Sequence, residues 1–350
     1  MTERSKLPDP KGHQATSPWQ MPKAAWKDIA SRTWQRTWDD NVGLVAAGVA
    51  FYSFFALFSL LGLIVLFYGL VADPMTVVEH MRTLIGVLPN DVIVLIGDQL
   101  LTAVKASKET KGLGILIAFL VAVYGGTNGA AAIITALNIA YEEKEKRSLV
   151  GFYLLAITMT LTALLFALAA IAGTAAVAYL QRLLPEASTV TLILGKAAGY
   201  LLLVLVAAAT AATLYRYGPS REEARWTWIT PGSLLAAGML LILTIAFGFY
   251  VTNLTDYSRS YGSLGAVVAL LTWMYLSAYA FIFGAELNGE IEHQTAKDST
   301  TGHPQPLGER GAWAADNVAT DDSVQDRPEE AREGEKLTEA APKVADETKS

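Results

Sequence analysis

Three pairs of carboxylates are the first places in this sequence where chemistry could reside: Asp39 with Asp40, Glu142 with Glu143, and Glu286 with Glu290 one helical turn apart. Paired carboxylates act as general acid and base, or hold two metal ions about 4 Å apart, when they face a groove that water and substrate reach. Each pair here borders a long uncharged run, where the plainer reading is solvation of a helix end. The histidines His13, His80, His293 and His303 stand at no metal-ligand spacing to one another, and the chain has no cysteine. Thiolate zinc sites, iron–sulfur clusters, disulfides and cysteine nucleophiles are thereby excluded. No phosphate-binding glycine loop, HExxH or GxSxG pattern occurs. These residues assign no catalytic, cofactor-binding or metal site, and an enzyme is not expected.

A different signal lies in VYGGTNGAAAIITALNIAY. Gly125, Gly126 and Gly129 surround Thr127 and Asn128 near the centre of the uncharged run Leu113 to Tyr141, which puts an amide at mid-membrane depth. An unpaired amide there costs several kcal/mol, so Asn128 needs another helix, exposed backbone or cavity water. Gly125 and Gly129, four apart, suit a close helix crossing glued by Asn128; the alternative is a bent or unwound helix on a substrate path. Asn138 and Glu142 follow one turn apart, and the last apolar run ends in Glu286, Asn288 and Glu290. The sharpest hypothesis is a hydrated cavity or path lined by Thr127, Asn128, Asn138, Glu142, Glu286, Asn288 and Glu290.

The elements that must position these residues are long and apolar. The chain of 350 residues is 52% hydrophobic and 17% charged, well short of the roughly 25% charged residues of a soluble domain. The excess lies in six runs: Val42 to Ala72, Leu113 to Tyr141, Ser148 to Gln181, Ala187 to Tyr215, Trp226 to Thr255 and Ser260 to Ala285. Each is long enough for a helix that crosses a bilayer core of about 30 Å. The fold class is therefore all-α, a polytopic integral membrane protein with six transmembrane helices. Pro231 is expected in the first turn of the fifth of them, where its missing N–H costs little. Lys196 reads as a snorkelling side chain, and Tyr275 and Tyr279 as packed aromatics.

The remaining stretches divide the chain. Residues 1–22 read as a disordered leader, 23–41 as an amphipathic helix in the headgroup layer with its cations toward lipid phosphates, and 42–291 as the transmembrane domain. Within it, residues 75–111 read as an extracytoplasmic amphipathic segment, because Asp91, Asp98, Lys105, Lys108 and Lys111 would otherwise be buried in hydrocarbon. Residues 292–350 read as a disordered acidic tail; they account for the net charge of −6, the rest of the chain being close to neutral. With the N-terminus inside, Lys and Arg concentrate before Asn41, at Lys144 to Arg147 and at Arg216 to Arg225. This favours both termini in the cytosol.

The segments WKDIASRTW, DNVGLVAAGVAFYSFFALF, ALNIAYEEKEKR, LYRYGPSREEARWTWITPGSLLA and YGSLGAVVALLTWMYLSAYAFIFGAELNGEIE, in this order, resemble the YihY/virulence-factor BrkB family of bacterial inner-membrane proteins, once labelled ribonuclease BN. The resemblance implies six membrane helices and cytosolic termini. It implies no catalytic residues, and its functional expectation is transport or envelope maintenance. The expected activity is handling of a solute or amphipathic envelope component. The rivals are a membrane scaffold and, least of all, a membrane-bound ribonuclease. Membrane lipids and a small or lipid-like substrate are the expected partners, with no nucleic acid and no cofactor.

Overall fold

A computed structural model describes residues 11–71, 113–182, 189–253 and 263–319. The segment 75–111, the loop 255–262, the first ten residues and the stretch from 320 onward lie outside the described residues, and with them the expectations made there. Among the described residues the regular structure is helical: α1 (Lys23–Asp39), α2 (Val42–Val71), α3 (Leu113–Ala140), α4 (Leu149–Arg182), α5 (Thr189–Tyr217), α6 (Trp226–Asn253), α7 (Ser263–His293) and the short α8 (Trp313–Asp316). A single antiparallel bridge joins Ala224 to Thr300.

The helices follow from the apolar runs, and their packing from the small residues within them. Each of α2 to α6 packs on the next, and α7 closes the ring onto α2, while α1 lies against α7. Ile134, Leu137, Tyr215, Ile229 and Ile282 are fully enclosed in the core. Outward, Leu44, Phe51, Leu120, Leu165, Ile193, Ile242 and Phe249 stay exposed, an apolar surface suited to lipid. Among the described residues three helical stretches are long and apolar enough to cross a membrane, Ile193–Tyr217, Trp226–Tyr250 and Val267–His293; a fourth is added if α1 and the start of α2 count as one bent span.

That bend is 64°. It falls at Asp40 and Asn41, and Asn41 takes a left-handed φ of 50° that Asn tolerates better than most residues. α1 thus turns away from α2 and lies across the end of the bundle, with Ala25, Ile29, Thr33 and Thr37 buried beneath it and Trp34 and Trp38 exposed. The exposed Trp pair, Lys23 and Lys27 fit a headgroup layer; the two arginines do not. Arg32 and Arg36 turn inward to Glu290, where the sequence reading had them facing lipid phosphates.

Two further expectations need correction. The reading of 292–350 as a disordered tail does not hold for its first part, since the chain after α7 folds back onto the bundle as far as Ala319. Ser299 carbonyl accepts from Arg225 N–H at 2.9 Å, Glu222 N–H donates to Gly311 at 3.1 Å, and Thr295, Ser299, Ala314 and Ala315 are buried. What holds this polar segment is backbone pairing and charge, which an apolar-content argument does not register. Residues 11–22 of the expected leader are likewise placed, with Ala15 and Met21 packed against Ile29, Trp228 and Ile291.

Candidate functional site

Pro231 lies in the interior of α6, not in its first turn, and the site at the polar end of the bundle is built around it. Proline removes one helix donor and pushes away the carbonyl four residues earlier, loosening the ladder there. Asn288 of α7 fits this loosened stretch: its amide oxygen accepts from Gly232 N–H at 2.8 Å, and its amide nitrogen donates to the Ile229 carbonyl at 3.0 Å. The two helices approach closely because Gly232 meets Gly284. A Cβ on Gly284 would stand 2.6 Å from both the Gly232 oxygen and the Tyr215 hydroxyl. Tyr215 completes the joint by donating to the Phe281 carbonyl at 2.6 Å.

Asn138 does a similar task between loops. It sits in the last turn of α3, donates to Glu145 at 2.9 Å and accepts from Ser220 N–H at 2.7 Å, tying the α3–α4 connection to the α5–α6 connection. Burial pushes the Glu145 carboxyl up, but hydrogen bonds from the Arg147 side chain and backbone and from Asn138 outweigh this and leave it at about 2. The helix then ends with Glu143 N–H bonded to the Asn138 carbonyl at 2.8 Å and Glu142 N–H to Ile139 at 2.9 Å. This is the paired closure in which glycine usually takes the left-handed position. Here that position is Glu142, at φ 56°.

Glu142 is held there by Arg36, which also reaches Glu290 at 3.3 Å, while Arg32 donates to Glu290 at 2.5 Å. His293 stands 3.5 Å from Glu290. Glu286 and Glu290 are almost fully enclosed, and the space left among Arg36, Tyr141, Glu142, Glu286, Glu290 and Trp313 is about 10 Å³. That is room for one water at most. Beside them Arg221 and Glu292 form an ion pair at 2.7 Å with both side chains out of water, Ser299 donating to the same carboxylate and the Tyr141 ring lying 4.7 Å from the guanidinium. Asp40, at the α1–α2 bend, packs its carboxyl against that of Glu286. Burial, with Asp39 and Glu290 adding to it and Arg36 opposing, pushes the Asp40 carboxyl up to about 6.

The structure therefore brings Glu142, Glu286 and Glu290 together and turns Asn138 and Asn288 to stapling. Thr127 and Asn128 belong elsewhere. Asn128 is ten residues before Asn138, roughly 15 Å along α3 at about 1.5 Å per residue, so no single cluster joins it to Glu286. α3 runs unbroken through Gly125–Gly129. A Cβ on Gly129 would come 3.1 Å from Ala56 Cβ of α2, which is the close crossing among the two readings of this stretch. Gly125 is buried, and the Gly126 carbonyl accepts from Thr160 of α4 at 3.4 Å.

Next to this crossing opens a cavity of about 340 Å³ walled by Ser53, Ala56, Gly126, Gly129, Ala130, Ile133, Met159, Thr160, Leu214 and Met274. Its wall is almost entirely apolar. Asn128, half-buried, is not part of it. The sequence reading named Asp40 without joining it to Glu286, turned Arg32 and Arg36 toward lipid, and missed Arg221 and the Gly232–Gly284 contact. Arg32 and Arg36, spaced to share one helix face, were the only signal available for the ion pairs.

Fold and site together define a helical membrane protein in which most charged groups of the described residues gather at one end of the bundle. The chain belongs to the family described as Virulence factor BrkB, whose model matches residues 33–308. It is 30% identical over 180 residues to YfkH of Bacillus subtilis (strain 168), a protein named only as ribonuclease-like; the match spans 50% of this chain and 65% of that one. Over 74 residues it is 40% identical to a UPF0761 membrane protein of Xanthomonas campestris pv. campestris (strain B100), covering 21% of this chain and 17% of that protein. A UPF0761 membrane protein of Xanthomonas axonopodis pv. citri (strain 306) matches to the same extent, 40% over 74 residues. No solved structure matches this chain.

Proposed function

We propose that this protein crosses the bacterial inner membrane six times with both termini in the cytosol, and handles an amphipathic, lipid-like envelope component. The observation that carries the reading is the cavity beside Gly126 and Gly129. A partly open pocket with so apolar a wall takes apolar groups, so an alkyl chain suits it and a hydrated solute does not. The polar end, where α1, the Lys144–Arg147 connection and the Arg216–Arg225 connection gather, is the cytosolic face by the positive-inside rule. The name of the Bacillus relative raises nuclease chemistry, but here the carboxylates that could serve it are engaged. Glu142 and Glu290 pair with arginines, and Glu286 packs on Asp40. That supports a role without catalysis.

Met159 and Met274 both face the cavity, which makes photoreactive methionine a direct probe in native membranes. Lipid-mass adducts are expected on Met159, a side chain the protein itself buries, and none on the equally buried Met21. Absence of adducts at Met159 would favour a scaffold, the second reading, which the tight packing around Glu142, Glu286 and Glu290 supports.

A further inference from the structure

We infer that Asp40 and Glu286 share a single proton and form a proton-binding site at the joint between the α1–α2 bend and the polar end of α7. The inference stands apart from the lipid-handling reading and does not rest on it. It begins with two buried oxygens. Asp40 Oδ2 and Glu286 Oε1 are both removed from water and have no hydrogen-bond donor, although the two carboxyl groups they belong to are in contact. Carboxylates only accept; two that touch out of water cannot both be ionised, and a proton held between them turns a repulsion into a hydrogen bond.

Of the donors around the pair none bonds to either oxygen, the buried and unpartnered hydroxyl of Tyr141 included. From α1, Arg36 faces the pair but is directed to Glu142 and Glu290, and Arg32 is directed to Glu290 and Gln294. Asp39, also on this element, adds negative charge. From the end of α3 come Glu142 and the Tyr141 ring, and from α7 Glu290, with His293 beyond it. The five acids Asp39, Asp40, Glu142, Glu286 and Glu290 thus meet two arginines and one histidine, so a bound proton also reduces a local excess of negative charge. Among the described residues no three such side chains are arranged to hold a metal ion.

The site is placed to matter mechanically. Asp40 sits where α1 and α2 part, and Glu286 is held on α7, the helix that closes the ring onto α2. Losing the proton sets two carboxylates against each other across that closure.

Infrared titration of the full-length protein in liposomes tests this. Wild type is expected to show a protonated-carboxyl C=O band, sensitive to deuterium oxide, that disappears only as pH rises above the ordinary carboxylate range, because the last proton of a coupled pair leaves late. Asp40→Asn and Glu286→Gln, each close in size to the residue replaced, should shift the midpoint by at least about one unit, because the two sites are coupled. The double variant should abolish the band. If the double variant does not fold, the single-variant shifts decide. Absence of a titrating band in wild type, midpoints unmoved in both single variants, or a band that survives the double substitution overturns the inference. So does an absent band accompanied by stabilisation specific to sodium ions, which would put a cation where the proton is assigned.

Discussion

The middle of α3 and its polar end carry polar residues of the same kinds and use them in opposite ways. At Gly125–Gly129 the helix passes Asn128 through the bundle beside an apolar cavity, and Gly129 packs against α2. About three turns later Asn138, Glu142 and Glu143 are each engaged by a specific group: Asn138 with Glu145 and Ser220, Glu142 with Arg36, Glu143 with the Trp313 N–H at 2.6 Å. The difference lies in the supply of partners. Donors and cations reach the polar end from α1, from two connections and from the folded-back segment 294–319, whereas mid-bundle neighbours are other apolar helices. A buried polar group is stable only where such a supply exists.

Substitutions can break this contrast at graded strengths. The largest effect is expected from Arg221→Ala, which leaves Glu292 charged and fully enclosed; about 3 to 5 kcal/mol of stability should be lost, read as a large fall in melting temperature in detergent. Gly284→Ala should follow, at about 1 to 3 kcal/mol, because its Cβ has no room against the Gly232 backbone and neither helix has a flexible side chain there to yield.

A third effect is a pH slope. The folded-state value for Asp40, about 6, exceeds its ordinary 3.8, so its contribution to stability is full below pH 3.8 and is lost as pH rises through about 6. Melting temperature against pH should therefore fall across that window in wild type and flatten in Asp40→Asn. The smallest effect is expected from Asn128→Leu. Asn128 is half-buried and makes no side-chain hydrogen bond among the described residues, so the change should stay within about 0.6 kcal/mol, the average for an interhelical hydrogen bond in a membrane protein. A loss above about 2 kcal/mol would mean that Asn128 glues helices after all.

Much of the helical order was legible because apolar runs between charged connections leave the backbone little alternative to helices. Gly129 was legible too, as a small residue where α3 meets Ala56 of α2. Gly232 and Gly284 were not, since α6 also holds Gly238 and Gly248 and α7 also holds Gly265 and Gly289, and which of them meet depends on the register of α6 against α7. Glu286 and Glu290 could be recognised as expensive groups, but their partners Asp40, Arg36 and Arg32 lie some 250 residues earlier, and no local pattern links them. The ordered stretch 294–319 was hidden for another reason. Its composition resembles a solvated tail, and its place is fixed by backbone bonds to Glu223, Arg225 and His13, which periodicity does not reveal.

The contrast between the tightly packed Glu142, Glu286 and Glu290 and an apolar mid-bundle cavity is tested most directly by native mass spectrometry of wild type against Gly126→Leu. A Cβ at Gly126 meets only Thr160 Cγ2, at an ordinary 3.5 Å, so leucine there can extend into the cavity without disturbing the α2–α3 crossing at Gly129. Wild type released from mild detergent should retain a lipid-sized adduct, and Gly126→Leu should lose it with an unchanged melting temperature. An adduct equally retained by both, or absent from both, would contradict a cavity that holds an alkyl chain.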